Sequence, residues 1–501
     1  MKRNLIIFLS IVCFCSSVFC QTPVNKKLVK ANLEFLASDE LEGREAATKG
    51  EKISSLYIAK EFEKYGVKPL GDDNTYYQNF ELKTSKIIKS STISFGESVL
   101  SLKDDFLLFN RSGGDYIGTN KCVFVGYGIT AEEFEYDDYS DIDVKGKTVL
   151  IVNGEPYSES EAFFDGKERT KYSGYRYKVE NAVKRGAKDI IFLPSSKNEQ
   201  SSYWYYLSLN VDREILQLND NSEEAGPQIL VLGYDALSKI LNGEEVSYDE
   251  FMEYLNDNEL PASFEFEKEI SFDLKFENGT KVSRNVVGYV EGTDEKLKDK
   301  FITITAHYDH VGYKTPEEVF NGADDNGSGT VAVMEAARLL QENPVKRSVI
   351  VCLFAAEEKG LLGSTYFVKN HSSMENTMVN VNLDMVGRGS VDTLFSIGES
   401  RLSSDLEEMV IKTDEDMTDF TIDLSETKNR LFYQSDHLNF HQSGIPCMFL
   451  NDMDFADLHK ITDETEKISW PKLYKSIDFT YRLVKNLGNM ESGLVLDKKA
   501  E

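Results

Sequence analysis

"TITAHYDHVG", residues 303–312, joins a β-branched run to a sudden polar cluster. Thr and Ile alternate up to Ala306, and then His307, Asp309 and His310 follow within four positions. The chain has only six histidines in 501 residues, so two of them bracketing an aspartate at a strand end invite a chemical reading. Imidazole beside carboxylate is the pairing of a metal ligand with the acid that orients it. A polar turn would use the same residues, so the rest of the chain has to decide.

Outward from this stretch, strands and helices alternate from residue 285 onward. "NVVGYVEG" (285–292), "FITITAH" (301–307), "RSVIVCLFAAE" (347–357), "TMVNVNLDMVG" (377–387) and "IPCMFLN" (445–451) read as strands. "NGSGTVAVMEAARLLQEN" (326–343), "LGSTYFVKNH" (362–371) and residues 471–487 read as helices. Runs such as "VIVCLFA" are apolar at consecutive positions, as expected for strands covered on both faces. The expected fold is therefore α/β, with a mixed, mostly parallel sheet flanked by helices.

Residues 105–260 have a different texture. Short β-like runs such as "CVFVGYGI" (122–129), "KTVLIVNG" (147–154) and "DIIFLP" (189–194) alternate with turns, with one helix-like stretch at 172–185. No histidine falls in this block, which is expected to be a separate β-rich module without chemistry of its own. Near the amino terminus, "NLEFLASDELEGR" (32–44) reads as a helix ending in a turn at Gly43, and residues 50–67 as an amphipathic helix.

The first twenty residues read as an export signal. Lys2 and Arg3 precede a mostly apolar stretch at 5–18, and Val18-Phe19-Cys20 precedes Gln21. That stretch is too short for an ordinary membrane span, which needs about 20 residues. Export to a periplasmic, cell-surface or extracellular location is expected, with no transmembrane anchor. Lipidation at Cys20 is the weaker alternative, since Phe19 is large where a small residue is usual. Net charge is −29, from 85 acidic against 56 basic residues, which argues against nucleic acid as a partner. Beyond the signal only Cys122, Cys352 and Cys447 remain, each inside an apolar run. They make no disulfide framework and no thiolate-rich metal site, so a metal would be held by His, Asp and Glu.

Ligands of open α/β sheets gather at the carboxyl ends of the strands. Just past those ends lie His307, Asp309 and His310, then Glu357 and Glu358, then Asp384 and, beyond 451, His459. Asp324 and Asp325 sit in the Gly-rich turn "NGADDNGSG". Each has an ordinary structural explanation alone, as a cap or a solvated acid. Together they match two metal ions about 3.5–4 Å apart sharing one carboxylate. Of the adjacent Glu357 and Glu358, one can bind metal while the other takes a proton.

The motifs "AHYDHVG", "NGADDNGSG", "FAAEEKGLLGS", "NLDMVGR", "SDHLNFHQSGIP" and "DLHKITDETEKI" together resemble the co-catalytic zinc peptidase family of bacterial aminopeptidases and glutamate carboxypeptidases. "FLASDELEGREAATKG" is similar to the amino-terminal part of bacterial members. The resemblance implies two zinc ions per chain: one on His307 and Asp384, the other on Glu358 and His459, with Asp324 bridging. It implies Glu357 as general base, Asp309 orienting His307, Asp325 supporting the bridge, and a cis Asp324–Asp325 peptide. It divides the chain into a signal (1–20), an amino-terminal part of the peptidase domain (21–104), a protease-associated-like insert (105–260), a catalytic domain (261–490) and a tail (491–501). The implied function is secreted hydrolysis of amino-terminal residues from peptide substrates. The alternatives are a carboxypeptidase or dipeptidase on the same core, a non-catalytic receptor-like relative, or a glutaminyl-cyclase-like one. One departure stands out. Leu458 precedes His459 where some relatives have a tyrosine, and Tyr433 is a candidate replacement for it.

Overall fold

The computed structural model describes residues 23–498 apart from 111–113, 157–163, 165–168, 198–203, 205–206, 209–210, 212, 220–225, 242–249, 251, 254–262 and 427–429. The export signal expected at 1–20 lies outside the described residues. Two compact units emerge: unit 1 combines Met1–Asn79 with Ser283–Glu501, and unit 2 is Phe80–Val282. Among the described residues no helix is long and apolar enough to cross a membrane.

Unit 1 carries the α/β sheet. Seven of its ten strands are β1 (Phe276–Val290, which starts in unit 2), β2 (Phe301–His307), β3 (Ser348–Phe354), β4 (Thr377–Leu383), β5 (Thr393–Ile397), β6 (Thr421–Asp423) and β7 (Cys447–Asn451). They are ordered β1-β3-β2-β4-β7-β5-β6. The central run β3-β2-β4-β7 is parallel, while β1 and β5 join its edges antiparallel. The sheet is thus mixed and mostly parallel, as its apolar runs imply. Every residue of β3 is buried, which is why alternation is absent from "SVIVCLF". Long helices cover the sheet: α1 (Lys26–Leu36), α2 (Lys49–Tyr65), α3 (Gly329–Glu342) and α4 (Trp470–Gly488).

The sheet interior is not wholly apolar. Thr303 and Thr305 on β2 and Asn380 and Asn382 on β4 follow the two-residue strand period and are buried. Asn380 Nδ2 donates to both threonine hydroxyls at 3.0 Å, and Thr305 Oγ1 donates to Asn382 Oδ1 at 2.8 Å. Asn382 Nδ2 then donates to Ser435 Oγ, which donates to Asp384 Oδ2, both at 2.8 Å. Each of these side chains gains at least one partner, as burial demands, though Asn380 Oδ1 has none among the described residues, and the chain of bonds ends on a residue at the rim.

The amino-terminal segment departs from the single helix expected over 32–44. α1 stops at Leu36, and a short turn helix, Asp39–Arg44, follows with Glu42, Gly43 and Arg44 at positive φ. A Cβ on Gly43 (φ +67) would fall 2.1 Å from Gly312 O and 2.6 Å from Phe320 O. Gly43→Ala is expected to cost more than about 1 kcal/mol, because strain adds to the backbone clash. A lowered denaturant midpoint for the full chain would register it, and an unchanged midpoint would refute the close approach.

Unit 2 contains a sheet ordered 263–265, 122–125, 148–152, 189–193, 229–232 and 106–110, parallel through its four middle strands. A second, antiparallel sheet comprises 98–101, 92–95, 270–274 and 116–120. Helices Tyr175–Lys184 and Tyr234–Ile240 accompany them, so the unit is less purely β than its sequence texture implied.

Candidate metal centre

Four loops at the carboxyl ends of β2, β3, β4 and β7 bring the candidate residues together, along with the Gly-rich turn before α3. His307 is the last residue of β2 and is buried. Its Nε2 lies 3.2 Å from Asp384 Oδ1, 3.4 Å from Asp325 Oδ1 and 3.9 Å from Glu357 Oε2. On the other side, His459 Nε2 lies 3.0 Å from Glu358 Oε2 and 3.3 Å from Asp325 Oδ2. The two oxygens of Asp325 therefore face two separate histidine–carboxylate pairs.

This corrects the assignment within the Asp-Asp pair. Asp325, not Asp324, occupies the central position. Asp324 is turned away: its Oδ1 accepts from Gly387 N at 2.9 Å, and its neighbours are Asp452 and Asp463. The reason is the path of the turn. Asp463 accepts from the backbone N–H of both Asp324 (3.0 Å) and Asp325 (3.0 Å), which fixes the peptide planes and sends the second side chain into the centre. The cis peptide is likewise Asp325–Asn326 rather than Asp324–Asp325.

The supporting contacts are extensive. Asn451 Nδ2 donates to Asp384 O at 2.7 Å, and Asn326 Nδ2 donates to Leu383 O at 2.9 Å. Asp309 was expected to orient His307 through its carboxylate. Its Oδ1 lies 3.7 Å from Nδ1, while its backbone carbonyl is nearer at 3.2 Å. The Asp309 carboxylate accepts instead from Glu357 N at 3.1 Å, so it anchors the acidic pair. Tyr433 is half exposed, its ring edge-on to Phe432. The three cysteines Cys122, Cys352 and Cys447 are free and buried.

Arg44 is a residue that the sequence did not single out. Its side chain is buried, and it donates to four carbonyls: Tyr308 (2.8 Å), Leu36 (2.5 Å), Asn321 (2.6 Å) and Gly322 (3.0 Å). One guanidinium thus ties the loop after β2 to the turn that carries Asp325 and caps the end of α1. Burial lowers its pKa to about 10, partly offset by the nearby Asp309 and Asp325. Its only sequence signal is its place in the quoted amino-terminal motif.

The charges at the centre fall into two classes. Burial pushes Asp325 upward, but His310, His307 and His459 hold it well below the usual carboxylate range. Burial likewise opposes Glu358, which the bonds from His310 and His459 bring down to about 2. His459 rises to about 11, since Asp325 and Glu358 outweigh its burial. Glu357 moves the other way: burial lifts it well above its ordinary value, His307 pulls back, and Glu358 and Asp436 add to the rise. Asp325 and Glu358 therefore keep their charge for a cation, while Glu357 is suited to carry a proton.

These residues fit a metal. His307, Asp325 and Asp384, and likewise His310, Asp325 and Glu358, bring ligand atoms within 4.8 Å of one another. Imidazole and carboxylate without thiolate is a donor set suited to catalytic zinc.

Residues 285–484 match the model of Peptidase family M28. The chain resembles this family of zinc peptidases over the stretch that contains every residue of the cluster. Aminopeptidase YwaD of Bacillus subtilis is 41% identical over 124 residues, covering 24% of this chain and 25% of that protein. A glutamate carboxypeptidase 2 homolog of Caenorhabditis elegans is 24% identical over 360 residues, covering 62% and 44%. The chain thus spans about a quarter to a half of the curated relatives it matches. Among solved structures, an aminopeptidase from Aneurinibacillus sp. strain AM-1 superposes with a TM-score of 0.59 at 20% identity, over 95% of this chain and 97% of that one. A zinc aminopeptidase from Bacillus subtilis gives 0.51 at 23% identity, over 95% and 98%. At these identities the likeness establishes the fold.

Proposed function

We propose that this chain is a two-zinc exopeptidase that removes amino-terminal residues from peptides. His307 and Asp384 would hold one ion and Glu358 and His459 the other, with Asp325 available to both. The observation that carries this reading is Asp325, whose two oxygens face the two pairs at 3.4 and 3.3 Å. Zinc bound there would polarise the scissile carbonyl and make a water molecule acidic enough to lose a proton near neutral pH. The remaining steps belong to Glu357. It takes the proton as the water oxygen bonds to the carbonyl carbon, and returns it to the amine nitrogen as the C–N bond breaks. Asp309 accepts from the Glu357 backbone N–H and so fixes the main chain from which that carboxylate projects. Residues 1–20 are read as an export leader and residues 105–260 as a protease-associated-like module.

A carboxypeptidase or dipeptidase is the second reading, favoured by the long match to a glutamate carboxypeptidase homolog. Purified protein assayed against aminoacyl-amide and carboxyl-terminal peptide substrates, with and without chelator, separates them. The expected result is chelator-sensitive cleavage that requires a free amino terminus, with two zinc ions per chain at saturation. A saturated stoichiometry of one in active protein would overturn the two-metal reading and favour cyclase-like chemistry.

A further inference from the structure

His310, the second histidine of the opening motif, lies in the cluster but is given no role in the proposed reaction. It is wholly buried, and its backbone N–H donates to Arg44 O at 3.3 Å. Its ring has one narrow place. A Cβ on Gly322, where φ is +55, would fall 2.6 Å from the ring atoms Cγ and Cδ2. The His459 ring stands edge-on to it with centroids 5.7 Å apart. The position of this imidazole therefore requires glycine at 322.

The ring's two nitrogens differ. Nδ1 lies 2.9 Å from Glu358 Oε1 and 3.6 Å from Asp325 Oδ2. Nε2 is buried and has no hydrogen-bond partner among the described residues. An imidazole N–H belongs on the nitrogen that faces acceptors, so Nδ1 carries one. Glu358 thus has its oxygens divided: Oε1 receives His310, and Oε2 lies 3.0 Å from His459 Nε2.

We propose that His310 is a positioning residue for the metal centre: its Nδ1–H holds Oε1 of Glu358 and leaves Oε2 alone to the ion shared with His459 and Asp325. This inference rests on the two-zinc reading above. Direct ligation by His310 is disfavoured, because a fourth protein ligand would close the position that a catalytic zinc site keeps open. Removing the bond frees Glu358 to rotate or to chelate through both oxygens, so the ion loses a preorganised ligand. Outer partners of this kind are worth roughly 10–100-fold in metal affinity.

Competition titrations of zinc against a chromophoric chelator test this on the full chain, with far-UV circular dichroism of each metal-free protein as the folding control. His310→Leu keeps bulk but has no donor. It should bind one ion as the wild type does and the other roughly 10–100-fold more weakly. His310→Asn places an amide N–H near the position of Nδ1 and should restore most of the affinity. Should the leucine chain not fold, His310→Gln, with its amide one bond further out, replaces it and should show the same weakening. Wild-type affinity for both ions in the leucine or glutamine variant would overturn the proposal. An asparagine variant as weak as these would also overturn it, since the imidazole itself would then be a ligand. A wild-type chain that never binds a second ion would overturn the two-zinc reading itself, and this inference with it.

Discussion

Glu357→Gln is expected to retain both zinc ions and bind substrate, yet lose roughly 10²–10⁴-fold in turnover, the usual worth of a positioned general base. The amide is nearly isosteric with the acid, and the backbone bond from Glu357 N to Asp309 survives the change. Only the basic oxygen is removed. Proton transfer is a transition-state interaction, so the loss should fall on kcat with little change in KM. Glu358→Gln should differ despite adjacency, because Glu358 Oε2 lies 3.0 Å from His459 Nε2 and belongs to the metal-binding set. Steady-state kinetics with metal analysis on both variants checks the division of labour. Near-normal turnover in fully loaded Glu357→Gln would end the assignment.

The two neighbouring aspartates should respond in opposite ways. Asp325→Asn replaces an oxygen facing one of the two pairs with an amide nitrogen that cannot ligate. The loss of a ligand common to two ions should exceed the 10–100-fold worth of an outer partner, so zinc affinity should fall by about 10³-fold or more, with activity following. Asp324→Asn should leave both ions bound. Burial, together with Asp452 and Asp463, raises the Asp324 carboxyl well above its ordinary range, which favours its neutral form, and asparagine resembles that form. The amide oxygen can still accept from Gly387 N. Zinc titration of the two variants decides the matter: loss of zinc in Asp324→Asn with retention in Asp325→Asn would reverse the assignment.

The same pair marks where sequence reading stops. β2 and β3 were legible because buried parallel strands are written in unbroken apolar and β-branched runs. His307, Glu357, Glu358, Asp384 and His459 were legible because they lie at or beyond the carboxyl ends of strands, where such sheets gather ligands. Choosing between Asp324 and Asp325 required the turn's path, which depends on Gly322 at φ +55 and on Asp463 far along the chain. No periodicity exists in a six-residue turn to supply that. Arg44 was missed for a related reason: a lone arginine in a polar turn reads as solvated, and three of its four acceptors lie more than 260 residues away. β5 and β6 are short strands at one end of the sheet with little pattern to detect.

Arg44 also sets an order of events during synthesis. It is made early, but Tyr308, Asn321 and Gly322 are made only after unit 2 has been translated, and His459 later still. The guanidinium must remain hydrated on a nascent segment while some two hundred residues of another unit are added. Closing so long a loop is slow, because its entropy is lost before any contact compensates. Unit 2 has its own core and need not wait. The carboxyl-terminal half is therefore not a portable piece: residues 283–501 contain every group of the candidate metal centre, but the fastening for two of its loops is encoded near the other end of the chain.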